Sequence, residues 1–344
     1  MSSSKQRHLS RRGFIAGASG LAIASTVPGC GNPDQQSGAS PEGVPISQFG
    51  PNSTSMDVVA GLDLSGQTAL ITGCNSGLGY ETARVLSAQG ATIIGAARTL
   101  EKAETACNSL SGPAIPVVCE LGDLESVAAA GEAVKSVGAP IDMLILNAGI
   151  MALPELEQIN GIEKQFFVNH LGHFTLTSHL IDQVMAAPQG RVVVLSSSGY
   201  SFAPETGIEF DNLSGERDYE AWKMYGVSKL ANGLFSLELA NRLATTNVTS
   251  NSLHPGIINT NLGRHFPWWQ RVASNLIGWT FMKSVEEGAA TQCYVATAPA
   301  LAGNSGYYFS DCNPLTPDSR MLDREQASTL WEVSEGLAAG YMGG

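Results

Sequence analysis

The chain has 344 residues, of which 43% are hydrophobic and 15% are charged. This composition is typical of a globular protein with room for one large domain or two small ones. The formal net charge of −12 argues against the basic surface that nucleic acids require, so we expect no nucleic-acid partner.

The N-terminus has the composition of an export signal. A basic region precedes an apolar stretch of small residues at 13–27, which is shorter than the ~20 residues of a membrane span. The basic residues are Lys5, Arg7, Arg11 and Arg12. Residues 10–15 resemble the twin-arginine signal, which implies export of the folded protein across the bacterial inner membrane. The alternative is a disordered basic tail on a cytoplasmic protein.

The end of this signal resembles a lipoprotein processing site. Val27, Pro28 and Gly29 precede Cys30, and the resemblance makes Cys30 the residue that carries a lipid anchor. We therefore expect residues 1–30 to form a signal peptide, and the mature protein to be periplasmic or anchored to a membrane. Residues 31–61 are rich in Pro, Gly, Ser, Gln and Asn, a composition that predicts a flexible linker.

Five further cysteines are scattered along the chain, at Cys74, Cys107, Cys119, Cys293 and Cys312. They show no C-x-x-C spacing and no accompanying histidine cluster, so the sequence predicts no metal site. We expect these thiols to be buried as small hydrophobic groups.

From Leu62 onward, short β-branched runs alternate with helical stretches such as Tyr80–Gln89 and Leu124–Ser136. This alternation predicts one α/β domain over residues 62–344, a Rossmann-type doubly wound parallel sheet of about seven strands with helices on both faces. The predicted strands are Thr68–Thr72, Thr92–Ala96, Ile115–Cys119, Met143–Leu146, Val192–Ser196, Thr249–Leu253 and Tyr307–Ser310.

A glycine-rich turn follows the first predicted strand and precedes a helix. The spacing is G-x-x-x-G-x-G, in which glycines allow a pyrophosphate to approach the backbone N–H groups of a helix N-terminus. A simple turn is the alternative. The predicted cofactor-binding residues here are Gly73, Asn75, Ser76, Gly77, Leu78 and Gly79.

Arg98 follows the second strand, where an NAD site places an acid for the ribose 2′-hydroxyl. Ala97 is not an acid, and an arginine can pair with a 2′-phosphate, so the sequence favours NADP(H) over NAD(H). A solvated surface arginine is the alternative. After the third strand, Asp123 and Leu124 are predicted to contact the adenine, although Asp123 is equally suited to capping the next helix.

Three further groups of residues lie at strand ends or on the helices that follow them. Small residues at Asn147, Ala148 and Gly149 let a cofactor lie against the sheet, and Asn169 is a polar residue in the middle of a helix. Serines at 196–198 end the fifth strand. Open α/β sheets bind their ligands at this edge.

Tyr225 and Lys229 have the spacing Y-x-x-x-K in a strongly helical stretch, so their side chains share one face of the helix. An ammonium beside a phenol favours the phenolate, and we expect Lys229 to lower the pKa of Tyr225 toward neutral pH. Tyr225 could then serve as a general acid or base.

As a set, these motifs resemble the short-chain dehydrogenase/reductase superfamily, from about Leu62 to the C-terminus. Residues 97–103, 168–174, 225–232 and 306–312 are similar to its retinol-dehydrogenase-like branch. Members of that branch oxidise or reduce lipophilic alcohols and carbonyls, usually with NADP(H). An exported form departs from the intracellular setting that is usual for the branch.

The resemblance implies a role for each matching residue. Tyr225 is the proton donor or acceptor, and Lys229 binds the nicotinamide ribose and lowers the tyrosine pKa. Ser197 binds the substrate oxygen, with Ser196 and Ser198 as alternatives, and Asn169 holds a water of the proton relay. The loop that clasps the nicotinamide, next to His254, contains Pro255, Gly256, Ile258 and Thr260.

The expected function is NADP(H)-dependent interconversion of a carbonyl and an alcohol in a small molecule. Aromatic residues between Thr260 and Val285 favour an apolar substrate or a membrane surface, although a helical hairpin packed on the core or on a second subunit of a homo-oligomer fits equally well. A polar cell-wall substrate is a further alternative. A non-catalytic dinucleotide sensor on the same fold is the main competing function.

Overall fold

The computed structural model describes residues 39–258 and 282–343. The strands are, in chain order, β1 (Thr68–Thr72), β2 (Thr92–Ala97), β3 (Ala114–Val118), β4 (Met143–Leu146), β5 (Gln158–Ile159), β6 (Ile162–Glu163), β7 (Arg191–Leu195), β8 (Thr249–His254), β9 (Tyr308–Ser310) and β10 (Asn313–Leu315). The described helices are α1 (Ser55–Val59), α2 (Gly77–Ala88), α3 (Leu100–Asn108), α4 (Leu124–Lys135), α5 (Lys164–Phe166), α6 (Gly172–Met185), α7 (Ala221–Arg242), α8 (Val285–Thr297) and α9 (Arg324–Ala338).

Eight of these strands form one sheet in the order β10-β9-β8-β7-β4-β1-β2-β3. All neighbouring pairs in it are parallel except β9 and β10. The sheet and its flanking helices confirm the predicted doubly wound α/β fold. Each of the seven predicted strands is present within one residue of its predicted bounds.

The two faces of the sheet pack into separate cores because successive strand residues point to opposite sides. Leu70 of β1 packs with residues of α4, α6, α7 and α9, whereas its neighbours Ala69 and Ile71 pack with residues of α1, α2 and α8. The central strands β1, β4 and β7 are therefore buried along their whole length, and most of their residues are apolar. Within the described ranges, no helix is both long and apolar enough to cross a membrane.

The predicted linker is wrong over residues 39–61, which pack on the domain. Thr54 and Asp57 form a capping box that starts α1, and Val58 and Val59 on that helix are buried. The Ser55 hydroxyl donates a 2.6 Å hydrogen bond to the buried Glu81 carboxylate. The many Pro, Gly and Ser residues obscured these few buried side chains in the sequence. The predicted signal at 1–30 lies outside the described residues.

Three of the described strands were not predicted from the sequence: the short β5 and β6, and the edge strand β10 of the eight-stranded sheet. Asp311 and Cys312 adopt positive φ angles of 51° and 60° and reverse the chain after β9. Pro314 lies in the returning strand β10, at the edge of the sheet where a missing N–H costs no ladder hydrogen bond. A proline in so short a segment is typical of a loop, so the sequence did not indicate a strand here. The five scattered cysteines are buried free thiols, as predicted.

Candidate active site

The predicted site residues meet at the carboxyl edge of the sheet, around the boundary between β1 and β4. From this boundary the strand order continues in one direction through β2 and β3 and in the other through β7 and β8. Such a switch point leaves a crevice outside the strand ends, where α/β sheets bind their ligands. The glycine-rich turn at residues 73–79 follows β1, and Asn147 follows β4, on the two sides of this crevice.

The glycine-rich turn joins β1 directly to α2. Gly73 has a φ of 70°, which disfavours any larger residue. A Cβ on Gly79 would lie 2.4 Å from the Gly73 carbonyl oxygen, so this glycine lets α2 approach the strand end. Ser76, the N-cap of α2, makes no capping hydrogen bond with its side chain. The N–H groups of the first turn of α2 therefore lack a side-chain cap, an arrangement that fits a pyrophosphate.

Arg98 is exposed just beyond β2, and its guanidinium makes no ion pair with any residue that the structure describes. Asp123 is the N-cap of α4 and accepts a 3.0 Å hydrogen bond from the Glu125 N–H. This capping role is one of the two that the sequence left open. The adenine contact of Asp123 and of the buried Leu124 stays a prediction.

The loop at Asn147, Ala148 and Gly149 is tied to the end of β1. The Thr72 hydroxyl oxygen accepts hydrogen bonds from the N–H groups of Asn147 at 2.9 Å and Ala148 at 3.0 Å. The Asn147 amide donates to the Thr72 carbonyl at 2.8 Å. A Cβ on Gly149 would lie 3.6 Å from the Lys229 Nζ atom. The loop thus lies between the glycine-rich turn and the Tyr225 helix.

Asn169 is fully buried in a π-helical turn, Phe167–Leu171, that joins α5 to α6. Its side-chain oxygen accepts from the Ile150 N–H at 2.8 Å, and its amide donates to the Ile150 carbonyl and the Ser228 hydroxyl, both at 2.9 Å. Both polar atoms of this side chain therefore bond within the protein, and a water of the relay would have to use the backbone. Single π turns within helices frequently mark functional sites.

The structure distinguishes the three serines that follow β7. The Ser196 hydroxyl is buried and donates to the Lys229 carbonyl at 2.7 Å. The backbone N–H of Ser198 donates to Nδ1 of His254 at 3.1 Å. Of the three hydroxyls, that of Ser197 lies next to the Tyr225 ring, and its interaction with the phenol acts to lower the tyrosine pKa. Ser197 is therefore the serine placed to share a substrate oxygen with the tyrosine.

Tyr225 and Lys229 lie one turn apart on α7 and are both buried. The Lys229 ammonium donates a 3.1 Å hydrogen bond to the Leu195 carbonyl. A Cβ on Gly199 would lie 2.7 Å from the edge of the Tyr225 ring, so the backbone after Ser197 packs directly on that ring. The helix and the serine loop thus hold the phenol between them.

The expected lowering of the tyrosine pKa is wrong for this arrangement. Burial raises the pKa of Tyr225 to about 12, and the hydrogen bond with Ser197 only opposes that rise. Burial also lowers the pKa of Lys229 to about 8. The sequence spacing correctly placed the two groups together, but it could not show how strongly the core excludes water from both.

The loop after β8 carries the remaining predicted residues. Pro255 is half-buried, and Gly256 has a φ of 92° with the Lys283 side chain packed against it. Ile258 forms a β-bridge with Lys283, whose ammonium pairs with the Asp311 carboxylate. Sequence reasoning missed Lys283, which carries no motif. Thr260 and most of the predicted aromatic segment lie outside the described residues.

Comparisons with known proteins agree with this geometry. The short chain dehydrogenase family matches residues 67–270. Human retinol dehydrogenase 14 is 40% identical over 79% of this chain and 86% of its own length. The chloroplast short-chain dehydrogenase TIC 32 B of Brassica napus is 39% identical over 84% of this chain and 93% of its own.

Among solved structures, an uncharacterised protein from Mycobacterium paratuberculosis superposes with a TM-score of 0.66 at 32% identity, covering 82% of this chain and 97% of its own. These similarities extend over most of the sequence, and they agree with the fold and with the geometry of the site. The chain belongs to the short-chain dehydrogenase family, whose members are oxidoreductases that act on CH–OH or C=O groups with an NAD(P) dinucleotide.

Proposed function

We propose that the protein is an NADP(H)-dependent oxidoreductase that interconverts a carbonyl and an alcohol in an apolar small molecule. The placement of the Ser197 hydroxyl beside the Tyr225 phenol carries this proposal. Lys229 lies beside the pair, and all three stand at the sheet edge that also holds the glycine-rich turn.

The dinucleotide, when bound, supplies or accepts the hydride, and the chain's own residues handle the oxygen and its proton. Because the pKa of Tyr225 is raised to about 12, the phenol keeps its proton at neutral pH and can donate it. The Ser197 hydroxyl donates a second hydrogen bond to the same oxygen, and the Lys229 ammonium stabilises the negative charge that grows there. This protonation favours reduction of a carbonyl at neutral pH.

The preference for NADP(H) rests on the residues after β2. Ala97 is buried and offers no carboxylate to a ribose 2′-hydroxyl, whereas Arg98 next to it is exposed. A guanidinium forms bidentate hydrogen bonds with a phosphate, so Arg98 is well suited to a 2′-phosphate.

An apolar substrate is supported by two exposed rings beside the phenol. Trp222 is 41% exposed and Phe202 is 53% exposed, and their ring centres are 5.4 Å apart. Trp222 also packs edge-on against Tyr225 at 6.0 Å. Large exposed aromatic side chains next to a buried polar pair form a surface for an apolar ligand. The human relative is named for retinol, an apolar alcohol.

The test is turnover of a panel of purified carbonyls, read as consumption of NADPH. We expect long-chain or aromatic aldehydes and ketones to be reduced faster than sugars of the same carbonyl type, and NADPH to serve better than NADH. Binding of NADPH without turnover of any panel member would favour the non-catalytic dinucleotide sensor. Faster turnover of the sugars would favour a polar cell-wall substrate.

We also propose that the protein is exported in the folded state through the signal at Arg11 and Arg12 and anchored by a lipid on Cys30. An exported dinucleotide enzyme must take up its cofactor before it crosses the membrane. A retained cofactor would then be regenerated in place, by a second substrate or by a partner at the membrane.

A further inference from the structure

His173 is a buried histidine one helical turn after Asn169, at the start of α6, and only 1% of its surface is exposed. Its Nδ1 atom lies 2.9 Å from the Asn169 carbonyl oxygen, and its Nε2 atom lies 2.9 Å from the Thr72 hydroxyl. The family match and the motifs discussed above give this side chain no role. Its two partners belong to the two halves of the candidate active site.

The hydrogen-bond inventory fixes the direction of every proton in this group. A carbonyl oxygen only accepts, so Nδ1 of His173 must carry the proton that it shares with Asn169. A neutral imidazole has one N–H, and Nε2 must therefore accept from the Thr72 hydroxyl. The oxygen of that hydroxyl accepts the N–H groups of Asn147 and Ala148. The Thr72 hydroxyl thus donates one hydrogen bond and accepts two, which uses its proton and both of its lone pairs.

The surroundings keep the imidazole neutral. The pKa of His173 is lowered to about 4, mainly because the ring is buried; the bond to the Asn169 carbonyl opposes this shift, and the positive charge of Lys229 contributes to it. A protonated ring would have to donate from both nitrogens, which would break the bond from the Thr72 hydroxyl.

We infer that His173 is a positioning residue, which fixes the position of the Asn169 π turn relative to the Asn147–Gly149 loop. The connection runs from the Asn147 and Ala148 amides through Thr72 and His173 to the Asn169 backbone. It complements the link in which the Asn169 side chain bonds both backbone groups of Ile150. This inference rests on the proposed function, because the relative position of the π turn and the loop matters only if Asn169 and the loop serve one reaction.

His170 provides a matched control in the same π turn. It is equally buried, and its Nε2 atom bonds the Ser334 hydroxyl of α9 at 2.8 Å. Its ring packs against the rings of Phe166, Phe174 and Phe235, away from the site. Replacing His170 therefore removes a buried imidazole and its hydrogen bond without touching the connection between Thr72 and Asn169.

The experiment compares His173→Leu, His173→Gln and His170→Leu in the full chain, using a carbonyl substrate that the parent turns over. Misplacement of catalytic groups by about 1 Å costs up to about a hundredfold in rate, so we expect His173→Leu to lower kcat by about ten- to a hundredfold. The glutamine amide offers one acceptor and one donor and should restore kcat to within about fivefold. His170→Leu should lower Tm but leave kcat within about threefold.

A kcat of His173→Leu within threefold of the parent, or an equal loss in His170→Leu, would overturn the inference. If His173→Leu does not fold, Thr72→Val and Thr72→Ser replace it, since only the serine keeps the hydroxyl. We then expect the serine variant to stay within about threefold in kcat and the valine variant to lose about tenfold or more. Equal rates in these two variants would overturn the inference as well.

A second readout does not depend on turnover and separates a failure of this inference from a failure of the proposed function. Nitrogen NMR of histidine-labelled protein, assigned with His173→Gln, reports which ring nitrogen carries the proton. We expect His173 to carry it on Nδ1 from pH 5 to pH 8, without titration, which follows from its pKa of about 4. A proton on Nε2, or a titration in that range, would refute the assigned direction of the hydrogen bonds.

Discussion

The Nζ atom of Lys229 lies 5.8 Å from the centre of the Tyr225 ring, with both side chains buried. The ammonium thus faces the phenol ring, while its hydrogen bond goes to the Leu195 carbonyl at the end of β7. Lys229 is therefore fixed between the tyrosine and the carboxyl edge of the sheet. Its charge is placed to act on an oxygen bound beside the phenol.

The pKa directions of this pair predict how the rate depends on pH. Reduction needs a protonated Tyr225 and a charged Lys229, and with pKa values of about 12 and about 8 both conditions hold only below pH 8. We expect kcat for reduction to be flat from pH 6 to about pH 7 and to fall through pH 8 as Lys229 loses its charge. Oxidation needs the phenolate, so its rate should rise with pH over the same range.

The matched variant for this pH profile is Lys229→Arg, because a guanidinium stays charged at all accessible pH values. Its overall rate should be lower, but the fall of the reduction rate near pH 8 should disappear. A parent enzyme whose reduction rate climbs between pH 8 and pH 10 would contradict the assigned protonation states.

Arg98→Ala tests the preference for NADP(H). Charge-assisted hydrogen bonds of this kind contribute roughly 1.5–3 kcal/mol, so the Kd for NADPH should rise by about ten- to a hundredfold while that for NADH changes little. Lys135→Ala is the control. Lys135 is the last residue of α4, at the end of the helix away from the carboxyl ends of the strands, and it pairs with Glu132. Titration calorimetry that finds equal losses for both dinucleotides in Arg98→Ala would remove Arg98 from the 2′-phosphate site.

Gly199→Ala tests the packing between the serine loop and the tyrosine ring. The new methyl group would lie 2.7 Å from a ring carbon of Tyr225, so either the loop or the phenol must move. We expect kcat to fall by about ten- to a hundredfold, since the phenol is displaced from its position. Gly336→Ala on α9 is the control, because a Cβ there meets no atom within 4 Å and should raise the free energy of unfolding by up to about 1 kcal/mol. Unchanged kcat in Gly199→Ala would show that the loop yields instead of the tyrosine.

The paired change Arg11→Lys and Arg12→Lys tests export. We expect the parent to be processed and found outside the cytoplasm with bound NADP(H), and the variant to stay in the cytoplasm at full length. Cell fractionation followed by mass spectrometry gives both the location and the N-terminus. Parent protein in the cytosol with residues 1–29 still attached would contradict export, whereas exported protein without nucleotide would contradict only loading before export.

Most of the fold could be predicted because the strands from Thr68–Thr72 to Arg191–Leu195 are short runs rich in β-branched and apolar residues, separated by helical stretches. The candidate site could be predicted where short spacings have a direct meaning, as for the glycine-rich turn and for Tyr225 with Lys229. The packing of residues 39–61 could not, because a few buried valines are hidden among Pro, Gly and Ser.

The protonation states of Tyr225 and Lys229 could not be predicted from the sequence either. Four-residue spacing indicates that Lys229 faces Tyr225, but the degree of burial that raises one pKa and lowers the other depends on the whole core. His173 was missed for a related reason. Its partner Thr72 is about a hundred residues away in the chain, and no local pattern joins the two.

Tyr225→Phe tests whether the phenol is the proton donor, because it removes one oxygen and leaves the ring that packs on Gly199 and Trp222. We expect kcat to fall by about three orders of magnitude, within the range for a general acid, with the Kd for NADPH unchanged within about threefold. Single-turnover reduction of an apolar aldehyde by enzyme saturated with NADPH measures this step alone. A variant that reduces the aldehyde within tenfold of the parent rate would contradict the role of Tyr225 as the proton donor.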